Sequence, residues 1–170
     1  MFRVVTVVLL AIVVTATVAF AQDNQPQEKP KSEVDLAYVS KYLDRMKLKY
    51  EKDEQHNVAH MVMVGDNGKF DTHVLCDPQA ALAYIIITDY LTVPPTHRNC
   101  DKVLRRLMEL NWKLNLGKFE WDPSDGEVRF TFTFSTENGI GFEAFQAVFN
   151  TMIATADDQI EGLQKLLVED

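Results

Sequence analysis

His60 and His73 are the residues whose type and spacing come nearest to metal chemistry in this 170-residue chain. Each lies in an apolar, β-branched run, 58–64 and 69–76, on either side of Gly65-Asp66-Asn67-Gly68. That four-residue composition turns a chain back on itself and predicts a β-hairpin. A turn tip at Asp66-Asn67 sets His60 opposite His73 on one face, with Met61 and Met63 on the other. Two imidazoles so placed could hold zinc or copper. A tip at Asn67-Gly68 shifts the register and separates them. A closed zinc site needs four ligands, so the expectation for His56, His60 and His73 is a set of surface or edge histidines.

Cys76 and Cys100 are the only cysteines. In an oxidising compartment two cysteines can pair. A link would close a loop of about 24 residues and contribute about 3 kcal/mol by loop entropy. The alternative is two separate small buried residues. Glu120, Asp122, Asp125 and Glu127 form an acidic group, yet they lack the spacing of a calcium loop and its bidentate final Glu. Asp and Gly there already have turn roles. Asn111 and Asn115, one helical turn apart, are expected to bond to nearby backbone near a helix end. Phe130, Phe132 and Phe134 could stack bases, but beside an acidic chain they read as core. No Gly-x-Ser-x-Gly, H-E-x-x-H or P-loop pattern occurs. Neither a catalytic residue nor a cofactor is expected.

The elements that must position these residues follow from periodicity. Leu36, Val39, Leu43, Met46 and Tyr50 make one apolar helical stripe behind a Ser32-x-x-Asp35 capping box, predicting a helix over 33–49. The hairpin of 58–64 and 69–76 comes next. For residues 82–93 a helix opened by Asp77 as cap and Pro78 at its first position competes with a strand; the β-branched Ile85-Ile86-Ile87-Thr88 favours the strand, and Pro94-Pro95 stops it. Val103, Leu107, Leu110 and Leu114 define a second helix, capped by Thr96 or Asn99 and ending near Gly117. Residues 118–121 and 127–134 form a hairpin around Asp122-Pro123-Ser124-Asp125-Gly126, and the second strand alternates strictly. Phe142, Phe145, Phe149, Met152, Ile160 and Leu163 lie on the stripe of a long third helix over 141–168. The order is α-β-β-β-α-β-β-α. It is an α+β class in which helices pack on an antiparallel sheet.

The first 21 residues have their own logic. Arg3 precedes an uncharged run over 4–20, and Ala19-Phe20-Ala21 places small residues before Gln22. Charged start, apolar run and A-x-A exit make a secretory signal cleaved between Ala21 and Gln22. The run of about 17 residues is at the lower limit for a retained anchor. Cleavage leaves no membrane span and places the chain in the periplasm or outside the cell. Residues 22–31, with two prolines and no large apolar side chain, form a flexible tether. Residues 32–170 form one domain. Net charge is −8 for the whole sequence, and losing Arg3 takes the mature chain to −9. That balance argues against nucleic-acid binding and against adhesion to anionic membranes.

Leu110-Asn111-Trp112-Lys113-Leu114-Asn115, then Gly117-Lys118-Phe119 and the turn from Asp122 to Val128, resemble the YbjN family. The family pattern is a helix ending in L-N, a G-x-F strand, a D-x-x-D-G turn and an alternating strand. The resemblance spans roughly 34–167. It implies a fold similar to the type III secretion chaperones and a role as a sensory transduction regulator. It also implies binding of a protein or peptide partner, and it carries over no catalytic residue. The export signal departs from the cytosolic setting of those chaperones. The expectation is an exported, non-enzymatic protein that binds a protein or peptide partner and, by analogy with the fold, forms a homodimer. The rival readings are a small periplasmic metal-binding protein using His60 and His73, and a hydrolase whose cleft the sequence does not reveal.

Overall fold

A computed structural model of the chain describes residues 32–169. The expected signal peptide, its cleavage at Ala21 and Gln22, and the tether over 22–31 lie outside the described residues. The elements are α1 (Leu36–Arg45), β1 (Glu51–Asp53), β2 (Val58–Val64), β3 (Lys69–Asp77), β4 (Leu82–Thr92), α2 (Cys100–Lys113), β5 (Lys118–Trp121), β6 (Glu127–Ser135) and α3 (Phe142–Val168). The strands form one antiparallel sheet of order β1-β2-β3-β4-β6-β5. This is the expected α+β class, with one strand more than expected before α2.

That extra strand is β1. Glu-Lys-Asp has no strand preference of its own, and all three residues are exposed. It is a strand because Glu51, Lys52 and Asp53 pair with His60, Ala59 and Val58, a tertiary effect that overrides local propensity. Both ends of α1 and of α2 also differ from expectation. Asp35, not Ser32, caps α1, accepting a bond from the Tyr38 amide at 2.8 Å. Ser32 instead donates to the Thr136 carbonyl at 2.9 Å and fastens the start of the domain to the end of β6. The helix stops at Arg45 because Lys47 takes a φ of 59° and the Leu48 amide turns back to Leu43 O. In α2, Asn99 stands at the cap position without a capping bond, and its amide holds the α3 end at the Leu167 and Glu169 carbonyls. The helix ends at Lys113, ahead of Gly117, since Leu114 is extended.

All three helices lie on one face of the sheet. The face-alternating residues Ala59 and Met61 of β2, Val74 and Cys76 of β3, Ile85 and Ile87 of β4, and Phe130 of β6 bury against Leu43, Leu107, Phe145, Phe149 and Met152. Phe119 stacks on Phe130 with ring centroids 4.4 Å apart. Phe132 and Phe134 join the same core, only partly buried. The aromatic row is therefore core packing, as its periodicity implies.

Candidate functional site

The opposite face of the sheet carries no helix among the described residues. Register places Val58, Leu75 and Tyr84 in one row across β2, β3 and β4, and His60, His73, Ile86 and Thr131 in the next row. Val58, Leu75, Tyr84 and Ile86 are half-buried and stand outside the hydrophobic core. Towards the hairpin tip, Val62 and Val64 on the same face are 54% and 68% exposed. An antiparallel sheet with one solvated face alternates apolar-in and polar-out; this face breaks that rule. Val62 and Val64 are the exposed part of this face, set off from the half-buried Val58, Leu75 and Tyr84 by the His60–His73 row.

The sheet edges differ in the same sense. Strand β5 is the edge on one side, and Asn111 of α2 blocks it. The Phe119 amide donates to Asn111 Oδ1 at 2.8 Å, and Asn111 Nδ2 donates to the Phe119 carbonyl at 2.9 Å. One side chain thus occupies the place of a neighbouring strand. On the other side β1 pairs only with residues 58–60 of β2. It cannot continue because Tyr50 is drawn towards α1, donating to Asp44 Oδ1 at 2.9 Å. Residues 61–64 of β2 therefore have no strand on their outer side among the described residues. A recess of about 240 Å³, lined by Lys49, Tyr50, Glu51, His60, Met61 and Val62, opens at that step. Unpaired strand edges accept an added strand from another chain.

Asp157 of α3 fixes this hairpin in place. Its carboxylate accepts bonds from the Asp66, Asn67 and Gly68 amides at 3.0, 2.8 and 3.1 Å. These residues lie some ninety positions apart in sequence, so the contact could not be read from it.

His60 and His73 face each other as the Asp66-Asn67 tip predicts, with stacked rings 4.8 Å between centroids. Their Nε2 atoms point to different partners, Asp71 Oδ1 at 3.3 Å and Thr88 Oγ1 at 3.2 Å. His56 lies elsewhere, bonded to Asp53 at 2.7 Å. Among the described residues no group of three or more His, Cys, Asp or Glu is placed to hold a metal ion. Burial is the main force holding the His73 imidazole below its ordinary value of 6.5; the charge of His60 adds to it, and Asp71 and Asp89 oppose it. The sign follows from linkage. The unfolded chain binds this proton more readily, so stability is fully present above about pH 6.5 and falls as the pH drops below it. Thermal melts between about pH 7.5 and about pH 5 are expected to show this decline, and His73→Gln is expected to flatten it. A decline of equal slope in the variant would assign it to other groups.

Cys76 and Cys100 are both buried free thiols. Cys76 borders a recess of about 800 Å³ at the start of the domain, beside Asp35, His56 and Asp77. Burial, reinforced by Asp35, pushes its thiol up to about 12. It is protonated at neutral pH and a poor nucleophile. The acidic group at the β5–β6 turn is engaged in structure. Burial alone would raise Glu120, but Lys118 at 2.6 Å and Arg129 at 2.8 Å outweigh it and lower the carboxyl. Asp122 and Asp125 accept the Ser124 and Glu127 amides, and Glu127 accepts the Asp89 amide. Asn115 is exposed and does not join Asn111.

Among the described residues the arrangement is an apolar, helix-free sheet face beside an open strand edge. The YbjN family, described as "Putative bacterial sensory transduction regulator", matches residues 35–165. No curated protein matches the chain by sequence. Among solved structures, "YbjN, a putative transcription regulator from E. coli" superposes with a TM-score of 0.59 at 13% identity, covering 77% of this chain and 94% of the other. The ExsC-ExsE complex gives 0.54 at 14% identity, covering 75% and 92%. The HopA1-SchA chaperone-effector complex gives 0.51 at 13%, covering 75% and 98%. The chaperone-like fold expected from the Leu110–Val128 motifs is the fold observed.

Proposed function

The chain belongs to the YbjN family, and from that premise we propose that it binds an extended segment of a partner protein on its open sheet face, in a regulatory or chaperone-like role. The observation that carries this reading is the exposure of Val62 and Val64 on a face that, among the described residues, carries no helix and adjoins an unpaired strand edge. The similarity in fold to two proteins solved in complexes supports a binding role. The segment adds as a strand along residues 61–64 of β2 and lays alternate apolar side chains over Val62, Val64 and the His60–His73 row. The net charge of −8 favours a segment with Lys or Arg at its flanks.

The protein acts without catalysing a reaction. The protonated, buried Cys76 and the structurally engaged carboxylates of the β5–β6 turn support that reading. It works in the periplasm or outside the cell, where the signal over residues 1–21 directs it. N-terminal sequencing of the exported protein is expected to begin at Gln22; a start at Met1 would contradict cleavage.

A photo-crosslinking residue at position 64 tests the binding face, with one at Glu161 of α3 as the control. Adducts are expected at 64 and not at 161. Equal labelling at both, or labelling at 161 alone, would refute this location.

A second surface supports the homodimer. Met108 and Trp112, one turn apart on α2, are 69% and 89% exposed. Aromatic and Met side chains presented in this way are enriched in interface centres. Light scattering is expected to give the mass of a dimer, and Trp112→Asp the mass of a monomer. A monomeric wild type would end this reading.

A further inference from the structure

We propose that Asn67-Gly68 is a deamidation site held closed by Asp157, and that its conversion unfastens the β2–β3 hairpin from α3. Asparagine followed by glycine is the pair most open to this chemistry, because no side chain shields the following amide nitrogen. Asn67 is exposed at the hairpin tip, within reach of water. Gly68 is not freely replaceable, since a Cβ there would lie 2.8 Å from the Phe70 ring. Gly65 is constrained likewise: a Cβ there would overlap the Asp157 carboxylate. A side chain at position 68 would have to displace the buried Phe70 ring, so packing favours the glycine that makes Asn67 labile.

The reaction has a defined balance. The Gly68 backbone nitrogen attacks Asn67 Cγ and gives its proton to solvent. The Cγ–Nδ2 bond breaks, ammonia leaves, and a five-membered imide forms. Water then opens either imide carbonyl, leaving aspartate or isoaspartate. No electron is transferred, and water is the only other reactant.

The native geometry opposes both the attack and the departure of ammonia. The attacking nitrogen must lose its proton, yet the Gly68 N–H donates to Asp157 Oδ1 at 3.1 Å. An anionic carboxylate beside that nitrogen disfavours its deprotonation. The leaving amide is also held, with Nδ2 donating to the Asp157 carbonyl at 3.1 Å and to Oδ2 at 3.4 Å. Conversion reverses this relation. A carboxylate then occupies the place of a donor, facing Asp157 with like charge and no proton to share. An isoaspartate also lengthens the backbone at the centre of the three-amide cradle. The change is irreversible, so the chain accumulates an unfastened form with age.

Peptide mapping by mass spectrometry after incubation of the full chain at mildly alkaline pH reads the one-dalton gain at Asn67. Native wild type is expected to convert at least about 10-fold more slowly than the same chain in urea, as a site that must open locally before it reacts. Asp157→Ala, verified as folded by circular dichroism, is expected to lose most of that protection. Equal rates in native and unfolded wild type, or a folded Asp157→Ala that converts as slowly as wild type, would overturn the guarding role. The second half has its own variant, independent of how Asp157→Ala folds. Asn67→Asp reproduces the product charge and is expected to lower the thermal midpoint by several degrees, more than Asn67→Ala. A midpoint equal to that of wild type would overturn the unfastening.

Discussion

Replacing Val62 and Val64 together with aspartate is expected to weaken partner binding by roughly 30- to 1000-fold while leaving the fold intact. The expected loss is about 2–4 kcal/mol. Two partly exposed valines each lose contact area that docking would otherwise remove from water, and each new carboxylate must shed hydration to be covered. The fold is spared because both side chains already face solvent, at 54% and 68% exposure. The thermal midpoint of the double variant should therefore stay within a few degrees of wild type. Titration calorimetry against the segment recovered by crosslinking gives the affinity. Unchanged affinity in a folded double variant would remove these valines from the interface.

The second large effect is on stability. Gly126→Ala is expected to cost about 3 kcal/mol and to lower the thermal midpoint by about 10 °C. Gly126 closes the β5–β6 turn with a φ of +84°. Its amide donates to the Asp122 carbonyl at 2.8 Å, and its own carbonyl accepts the Val93 amide at 2.7 Å. A Cβ would stand 2.7 Å from the Val93 carbonyl and the Pro94 nitrogen, which are backbone atoms and cannot swing aside. Gly139→Ala is the matched control. Its φ is +77°, but the nearest atom to a Cβ is Tyr38 Oη at 3.6 Å. Only the conformational part applies there, about 1 kcal/mol. Equal midpoints for the two variants would show that the close approach at Gly126 contributes nothing.

What could be read from the sequence was local. Strict alternation over 127–134 and the Gly-Asp-Asn-Gly turn depend on neighbours in the chain; the β6 strand stands as expected, and of the two tips the turn allows, the observed pairing of His60 with His73 is that of Asp66-Asn67. The L-N, G-x-F and D-x-x-D-G motifs point to the family for the same reason. What was hidden depends on contacts made after folding. β1 is a strand only because β2 lies beside it. The Asn111 block of the β5 edge needs the turn over 114–117 to bring Phe119 back along α2. The Asp157 clamp joins residues in different layers. The open face was hidden for a further reason. Val58, Val62, Val64, Leu75, Tyr84 and Ile86 look like core in sequence, and the placement of α1, α2 and α3 on the other face leaves them uncovered among the described residues.

Where a partner sits is read directly by amide hydrogen exchange. The chain is compared free and bound to the segment recovered by crosslinking. Added-strand docking predicts new protection at alternate amides of residues 61–64 of β2, with smaller changes along the His60–His73 row and none on the exposed side of α3. Protection confined to α2 around Met108 and Trp112, with residues 61–64 exchanging as in the free chain, would contradict it.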